Sequence, residues 1–335
     1  MEIKKVLNKK EDSHIDLALR PAVWSDYVGQ EKLKKNLRVI LDAAKKRSET
    51  CDHLLFYGQA GLGKTTLAHL VAKEMNSGLK VTSGPALEKM GDLAAILSNL
   101  EKGEVLFIDE AHRLNRQIEE VLYPALESRK LHLIIGKGPG ARTFSLDLPP
   151  FTLVAATTRA NLLSGPLRSR FGATFKLDYY EVPDIEAIIR RSANLLGVKI
   201  DAEGVVVLAK AARFTPRAAN RLLRRVRDYA EVNNLEKVSE AAAKATLEML
   251  EIDELGLEQT DRQLLKAIID KFHGGPVGIQ TLAAALSDDQ GIIEEVYEPY
   301  LMNIGLLNRT PAGRLVTPAA YRHLGYKVQE EGGLL

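Results

Sequence analysis

Over the first half of the chain, apolar positions follow two alternating patterns. His53–Tyr57, Leu79–Thr82, Val105–Ile108 and Phe151–Ala156 are short, largely apolar runs of the kind that fill a parallel sheet buried on both faces. Between them, Thr65–Met75 and Arg116–Ser128 repeat at helical spacing; the second places Ile118, Val121, Leu122, Ala125 and Leu126 on one stripe. Strand and helix in alternation predict an α/β sheet with right-handed crossovers.

Beyond Val182-Pro183-Asp184 the strand runs stop. Ile185–Leu196, Ala202–Ala212, Pro216–Val232 and Ser239–Leu250 predict four helices, with Asp184, Asp201 and Ser239 as N-caps. After the polar stretch Glu254–Gln259, helices are expected at Asp261–Lys271, Ile279–Leu286 and Ile292–Ile304. Two short extended pieces around Arg309–Arg314 complete a winged-helix pattern, a helix-turn-helix variant. The expected domains are residues 1–182 (α/β), 183–254 (small, all-α) and 255–335 (winged helix).

Composition narrows the class. The 335 residues suffice for two or three domains, and a net charge of +2 does not by itself point to a nucleic-acid or membrane partner. The single Cys51 excludes an intramolecular disulfide and a Cys-rich zinc site. No apolar run reaches the roughly 18 residues of a membrane span, and Met1–Arg20 mixes Lys with Glu, unlike a secretory signal. A soluble, cytoplasmic protein is expected.

Gly58-Gln-Ala-Gly-Leu-Gly-Lys64-Thr65 fits G-x-x-x-x-G-K-[ST], preceded by a strand and followed by a helix as that motif requires. Glycines let the backbone turn its N–H groups onto phosphates, and the helix N-terminus adds positive potential. Lys64 is expected on the β- and γ-phosphates, with Thr65 on Mg²⁺. The strand Val105–Ile108 ends in Asp109-Glu110, at the edge where α/β folds bind ligands. Asp109 would hold the metal and Glu110 would orient or deprotonate water; the competing reading is a helix cap. His112 reads as a solvated or backing residue.

Strand Phe151–Ala156 leads into Thr157-Thr158-Arg159, Leu167-Arg168-Ser169-Arg170-Phe171 follows, and Thr215-Pro216-Arg217 opens a helix of the small domain. In this order these resemble sensor 1, the arginine finger and sensor 2 of AAA+ ATPases, which implies a P-loop NTPase core with an all-α lid. Longer strings are more specific: Leu19-Arg20-Pro21, Asp26-Tyr-Val-Gly-Gln-Glu31, Leu122-Tyr-Pro-Ala125, Leu146-Asp-Leu-Pro-Pro-Phe151, Ala219–Asp228 and Arg309-Thr-Pro311 with Gly313-Arg314. Across nearly the whole chain they resemble the RuvB family, bacterial motors that drive branch migration of Holliday junctions in recombination and repair.

The resemblance implies ATP and Mg²⁺, with Leu19 and Arg20 flanking the adenine and Gly61, Gly63, Lys64, Thr65 and Thr66 around phosphates and metal. It carries Tyr180 and Arg217 to the lid side of the nucleotide, Thr158 to sensor 1 and Arg170 to a finger acting in a neighbour's site. Glu127, Ser128 and Arg129 become further nucleotide neighbours. Three departures stand out: Gln59-Ala60 where the family usually has two prolines, Ser128-Arg129 for a more acidic-aromatic pair, and Phe214 where glycine is common. The implied assembly is a homo-hexamer on duplex DNA at four-way junctions, with the RuvA protein, and the RuvC resolvase in turn, as partners. A surface ion pair is the bland alternative for Arg170. Two other functions compete: a clamp-loader subunit, and an ATP-regulated winged-helix switch.

Residues 258–335 hold seven Lys+Arg against ten Asp+Glu, and the third helix carries Glu294, Glu295 and Glu298. An acidic recognition helix fits a phosphate-lined groove poorly, so Arg309 and Arg314 of the wing are the expected DNA contacts, without sequence preference. Arg217, Arg221, Arg224 and Arg225 share roughly one helix face, read either as DNA contact or as a face between nucleotide and neighbouring subunit. Leu131–Leu148 is expected to be a hairpin turning at Gly138-Pro-Gly140, with Phe144 and Leu146 either docking RuvA or packing structurally.

Overall fold

The computed structural model describes residues 17–135 and 142–327. These divide into two compact units. One runs to Ile188 and takes back Thr215–Asn220; the other comprises Ile189–Phe214 and the chain from Arg221 onward.

Among the described residues the first unit has seven strands: β1 (Leu54–Tyr57), β2 (Leu79–Ser83), β3 (Val105–Asp109), β4 (Lys130–Ile135), β5 (Arg142–Asp147), β6 (Thr152–Thr157) and β7 (Ala173–Lys176). Five form a parallel sheet in the order β2-β3-β6-β1-β7. Every residue of β6 is buried, as a strand covered on both faces must be. Helices α1 (Glu31–Arg47), α2 (Lys64–Glu74), α3 (Met90–Ser98) and α4 (Arg116–Glu127) accompany the sheet. The stripe expected on α4 is its buried face, and it joins Leu93 and Leu97 of α3 and Leu106 and Ile108 of β3 in one core. Sequence reading missed α1 and α3. In α1, Leu33, Leu37, Leu41 and Ala44 are buried, while Lys45, Lys46 and Arg47 in its last turn complement the helix dipole.

β4 and β5 pair antiparallel as the expected hairpin, Leu131 opposite Leu146 and Leu133 opposite Phe144. Leu146 packs against the sheet's core whereas Phe144 is 52% exposed. The Gly138-Pro-Gly140 turn lies outside the described residues.

In the small domain, α5 (Val182–Leu196) is followed by α6 (Ala202–Ala211), α7 (Pro216–Val232) and α8 (Glu240–Met249). Asp201 and Ser239 cap α6 and α8, accepting from Gly204 and Ala242. Asp184 does not cap: α5 begins earlier, with Pro183 inside its first turn, where a missing N–H costs nothing. The terminal domain has α9 (Gln259–Phe272), α10 (Ile279–Leu286), a composite third helix, the wing strands β8 (Leu307–Thr310) and β9 (Gly313–Val316), and α11 (Pro318–His323), which was not foreseen. The third helix is interrupted by a π turn, Ile293–Tyr297, just before Pro299, whose nitrogen has no proton for the carbonyl four residues back. Val277 bridges Arg314 and gives the wing a third extended partner. Only glycine fits at 313, since a Cβ there would sit 2.4 Å from the Val277 carbonyl oxygen.

Candidate active site

Sheet order explains why residues distant in sequence converge. β6 lies between β1 and β3, so the loop after β1, the acids ending β3 and the threonines ending β6 share one carboxyl edge. The loop enters α2 through Gly63 in a left-handed conformation (φ 98°). Gly61 is also left-handed, and a Cβ there would stand 3.0 Å from the Arg217 Cβ. A cleft of about 270 Å³ opens at this edge. Its walls include Leu19, Arg20, Gly61, Gly63, Lys64, Thr65 and Thr66, together with Asp109, Glu110, Thr158 and Arg217, all anticipated, and Pro21, Pro216 and Asn220, which were not.

Lys64 is 8% exposed, and its ammonium donates to the carbonyls of Gly58 (2.8 Å) and Gln59 (2.7 Å). Burial pulls its pKa down to about 8; Arg217 adds to the fall and Asp109 opposes it. The Thr65 hydroxyl donates to the Asp109 carboxylate at 3.2 Å, so two hard oxygen donors of the kind small divalent cations take stand together. Glu110 is held left-handed (φ 48°), a strain of about 1–3 kcal/mol that a non-glycine residue bears. Its carboxylate takes the Arg113 guanidinium at 3.2 Å while staying half exposed. Beside Thr158, Thr157 is buried and bonded to His112 Nδ1 at 2.9 Å, so His112 backs the end of β6.

Tyr180 does not line the cleft. It is buried behind the loop, its hydroxyl donating to the Leu62 carbonyl (3.2 Å) and accepting from the Tyr27 hydroxyl (3.3 Å), and burial raises its pKa to about 12. Ser128 is exposed at the end of α4 and bonds the Pro124 carbonyl.

Glu127, Arg129 and Arg170 stand at the opposite edge of the sheet. They line a separate cavity of about 990 Å³, larger than the phosphate-loop cleft, together with residues that precede β1, β2, β3 and β6, such as Asp52, Gly78, Glu104 and Phe151. Arg170 therefore lies apart from the phosphate-loop cleft of its own chain. It is held by Glu127 at 2.7 Å and lies 4.5 Å over the Tyr123 ring, a partner sequence reading missed, and its Nε is buried with no hydrogen-bond partner among the described residues.

The wing corrects one expectation. Arg314 does not reach outward: it is 5% exposed and bonds Glu298 at 2.6 Å and Glu294 at 3.0 Å, because its β9 position faces the third helix. Glu298, counted above as an acid facing the groove, is 1% exposed. Arg309 is the exposed member of the network, 3.2 Å from Glu294. Arg221 also has a different partner, Glu258 at the start of α9.

Three family models tile the chain: the P-loop domain of the Holliday junction DNA helicase RuvB over residues 19–177, the RuvB AAA lid domain over 180–253 and the RuvB C-terminal winged-helix domain over 254–325. Among solved structures, the Thermotoga maritima RuvB Holliday junction branch migration motor is 49% identical, with 93% of this chain and 100% of that one covered and a TM-score of 0.86. Its K64R variant matches at 48% identity, covering 93% and 99% with a TM-score of 0.85, and its R170A variant gives the same figures. No helix among the described residues is long and apolar enough to cross a membrane. Matched in order over residues 19–325 by the P-loop, lid and winged-helix models of one family, the chain is a member of the RuvB family of Holliday junction DNA helicases.

Proposed function

We propose that this chain is the ATP-hydrolysing subunit of a cytoplasmic homo-hexameric ring that drives duplex DNA through a four-way junction. One observation carries the reading: the cleft with Lys64 and the cavity with Arg170 lie at opposite edges of one sheet. A site needing both is completed by a second copy, head to tail, and such contacts close into rings.

The Thr65 hydroxyl and Asp109 carboxylate fit Mg²⁺, which commonly takes one or two protein oxygens and completes its shell with water and phosphate. When bound, the ion would neutralise charge on the β- and γ-phosphates. Lys64 and the amides opening α2 bind the phosphates, Glu110 orients the attacking water and accepts its proton, and Thr158 positions that water from the neighbouring strand. Arg170 of an adjacent copy stabilises charge on the γ-phosphoryl, a contribution of roughly 10³–10⁵ in rate. Arg217 follows the nucleotide's state. Arg309 is the wing's phosphate contact, and the exposed Phe144 supports the hairpin as the docking surface for RuvA, with RuvC acting later.

The test is ATP-dependent dissociation of a synthetic four-way junction, with and without RuvA. Junction dissociation stimulated by RuvA is expected; activity on forked duplexes with none on junctions would overturn the reading.

A further inference from the structure

The chain enters the nucleotide-binding unit at the Phe214–Thr215 bond and leaves it at Asn220–Arg221. The six residues between contribute Pro216, Arg217 and Asn220 to the cleft. Both flanks are tied down within the other unit. Upstream, Arg213 reaches Asp261 at 3.1 Å and lies 4.4 Å over the Tyr300 ring, and the Phe214 ring is 6.2 Å from that same tyrosine. Downstream, Arg221 meets Glu258 at 2.5 Å.

The two acids belong to one helical turn. Glu258 is the N-cap of α9 and Asp261 its third residue, and the Asp261 carboxylate accepts the Glu258 N–H at 2.9 Å. Asp261 has no exposed surface, so parting it from Arg213 would strand a buried carboxylate. Arg213 and Phe214 are successive non-glycine residues in the left-handed region (φ 51° and 53°), which residues with a Cβ adopt only at a cost. Such an attachment follows a displacement of the hexapeptide rather than giving way to it.

We propose that the Arg213–Asp261 pair, supported by Arg221–Glu258 and the Phe214–Tyr300 contact, couples the nucleotide-sensing hexapeptide to the first helix of the winged-helix domain. Arg213 and Asp261 are positioning residues that pass the nucleotide's state to the DNA-contacting head without touching nucleotide. The inference rests on the proposed role of Arg217.

Hydrogen exchange of the full-length protein, with and without a non-hydrolysable ATP analogue, tests it. In the wild type, exchange is expected to slow at least threefold both in peptides spanning 215–220 and in those spanning 258–264. In Arg213→Met/Asp261→Asn, which removes both charges and keeps the packing over Tyr300, the change persists at 215–220 and vanishes at 258–264, with the melting temperature confirming a folded protein. Arg213→Lys, keeping the charge, retains more than half of the response at 258–264.

Persistence of the response at 258–264 in the double variant overturns the coupling. Loss of the response at 258–264 in Arg213→Lys as complete as in the double variant also overturns it, because a retained charge pair then fails to carry the coupling. No response at 215–220 in the wild type sinks the role of Arg217 itself, an outcome separate from failure of the link.

Discussion

The Glu127 carboxylate holds the Arg170 guanidinium at 2.7 Å, across the sheet from the phosphate loop. Arg170→Ala should therefore leave ATP affinity within about twofold while lowering turnover about a thousandfold. Mixing it with Lys64→Ala subunits should restore part of the activity, since such a ring pairs an intact finger with an intact cleft. ATP-binding titrations and steady-state hydrolysis measure both effects. A mixture as inactive as its components removes the in-trans role.

Lys64 gives a pH dependence with a definite sign. Its pKa is drawn down to about 8, chiefly by burial, and a triphosphate supplies the negative charge that raises it again. Well below pH 8 the ammonium is already charged, so binding takes up no proton there. Above pH 8, binding should take up a proton, approaching one per site by about pH 9. Calorimetry at pH 9 in buffers of different ionisation enthalpy reads the uptake, and its absence refutes the assignment.

The Thr65–Asp109 contact predicts a metal-specific lesion. Asp109→Asn keeps the shape and the hydroxyl's acceptor but removes the charge that would attract a divalent cation. Hydrolysis should fall at least a hundredfold, and magnesium's enhancement of ATP affinity should shrink while metal-free nucleotide binding stays within about threefold. Equal effects with and without magnesium would count against the pair as ligands.

Arg309 and Arg314 should behave as opposites although both belong to the wing. Arg314→Met removes the nearest partner of the Glu298 carboxylate, 1% exposed and otherwise met only by Arg309 at 3.9 Å, and should cost about 3–5 kcal/mol in the winged-helix domain. Replacing both partners, as in Arg314→Met with Glu298→Leu, should recover most of that stability. Arg309→Ala, at a half-exposed pair, should change stability by less than about 1 kcal/mol and weaken duplex binding. Thermal melts and filter-binding titrations separate the two.

The phosphate-loop cleft was legible in the sequence because each part is a local pattern. Lys64 sits in a spaced motif, Asp109 ends an apolar run, and Thr158 follows another. What one-dimensional spacing does not encode is the direction of a side chain at a crossing of elements. Arg309 and Arg314 look equivalent around a turn, and they are paired across the wing on one face, yet Arg314 is the one buried beside the Val277 bridge and bonded to Glu298 while Arg309 stays exposed. Tyr123 was readable as one turn before Glu127 on α4, but its stacking on Arg170 depends on where residues 165–170 fold back. Likewise α1 has a clear Leu33, Leu37, Leu41 stripe, hidden among seven basic residues that dilute its apolar signal.

The buried Arg314 has a consequence for how grip on DNA is counted. A guanidinium already neutralised by Glu298 and Glu294 displaces no condensed cation from a duplex, whereas an exposed one facing phosphate displaces about one. If Arg309 leaves Glu294 for a phosphate, as proposed for the wing, each engaged subunit would contribute about −0.9 to the slope of log affinity against log salt. On that proposal the slope would count the subunits holding the duplex at once, and Arg309→Ala should flatten it in proportion.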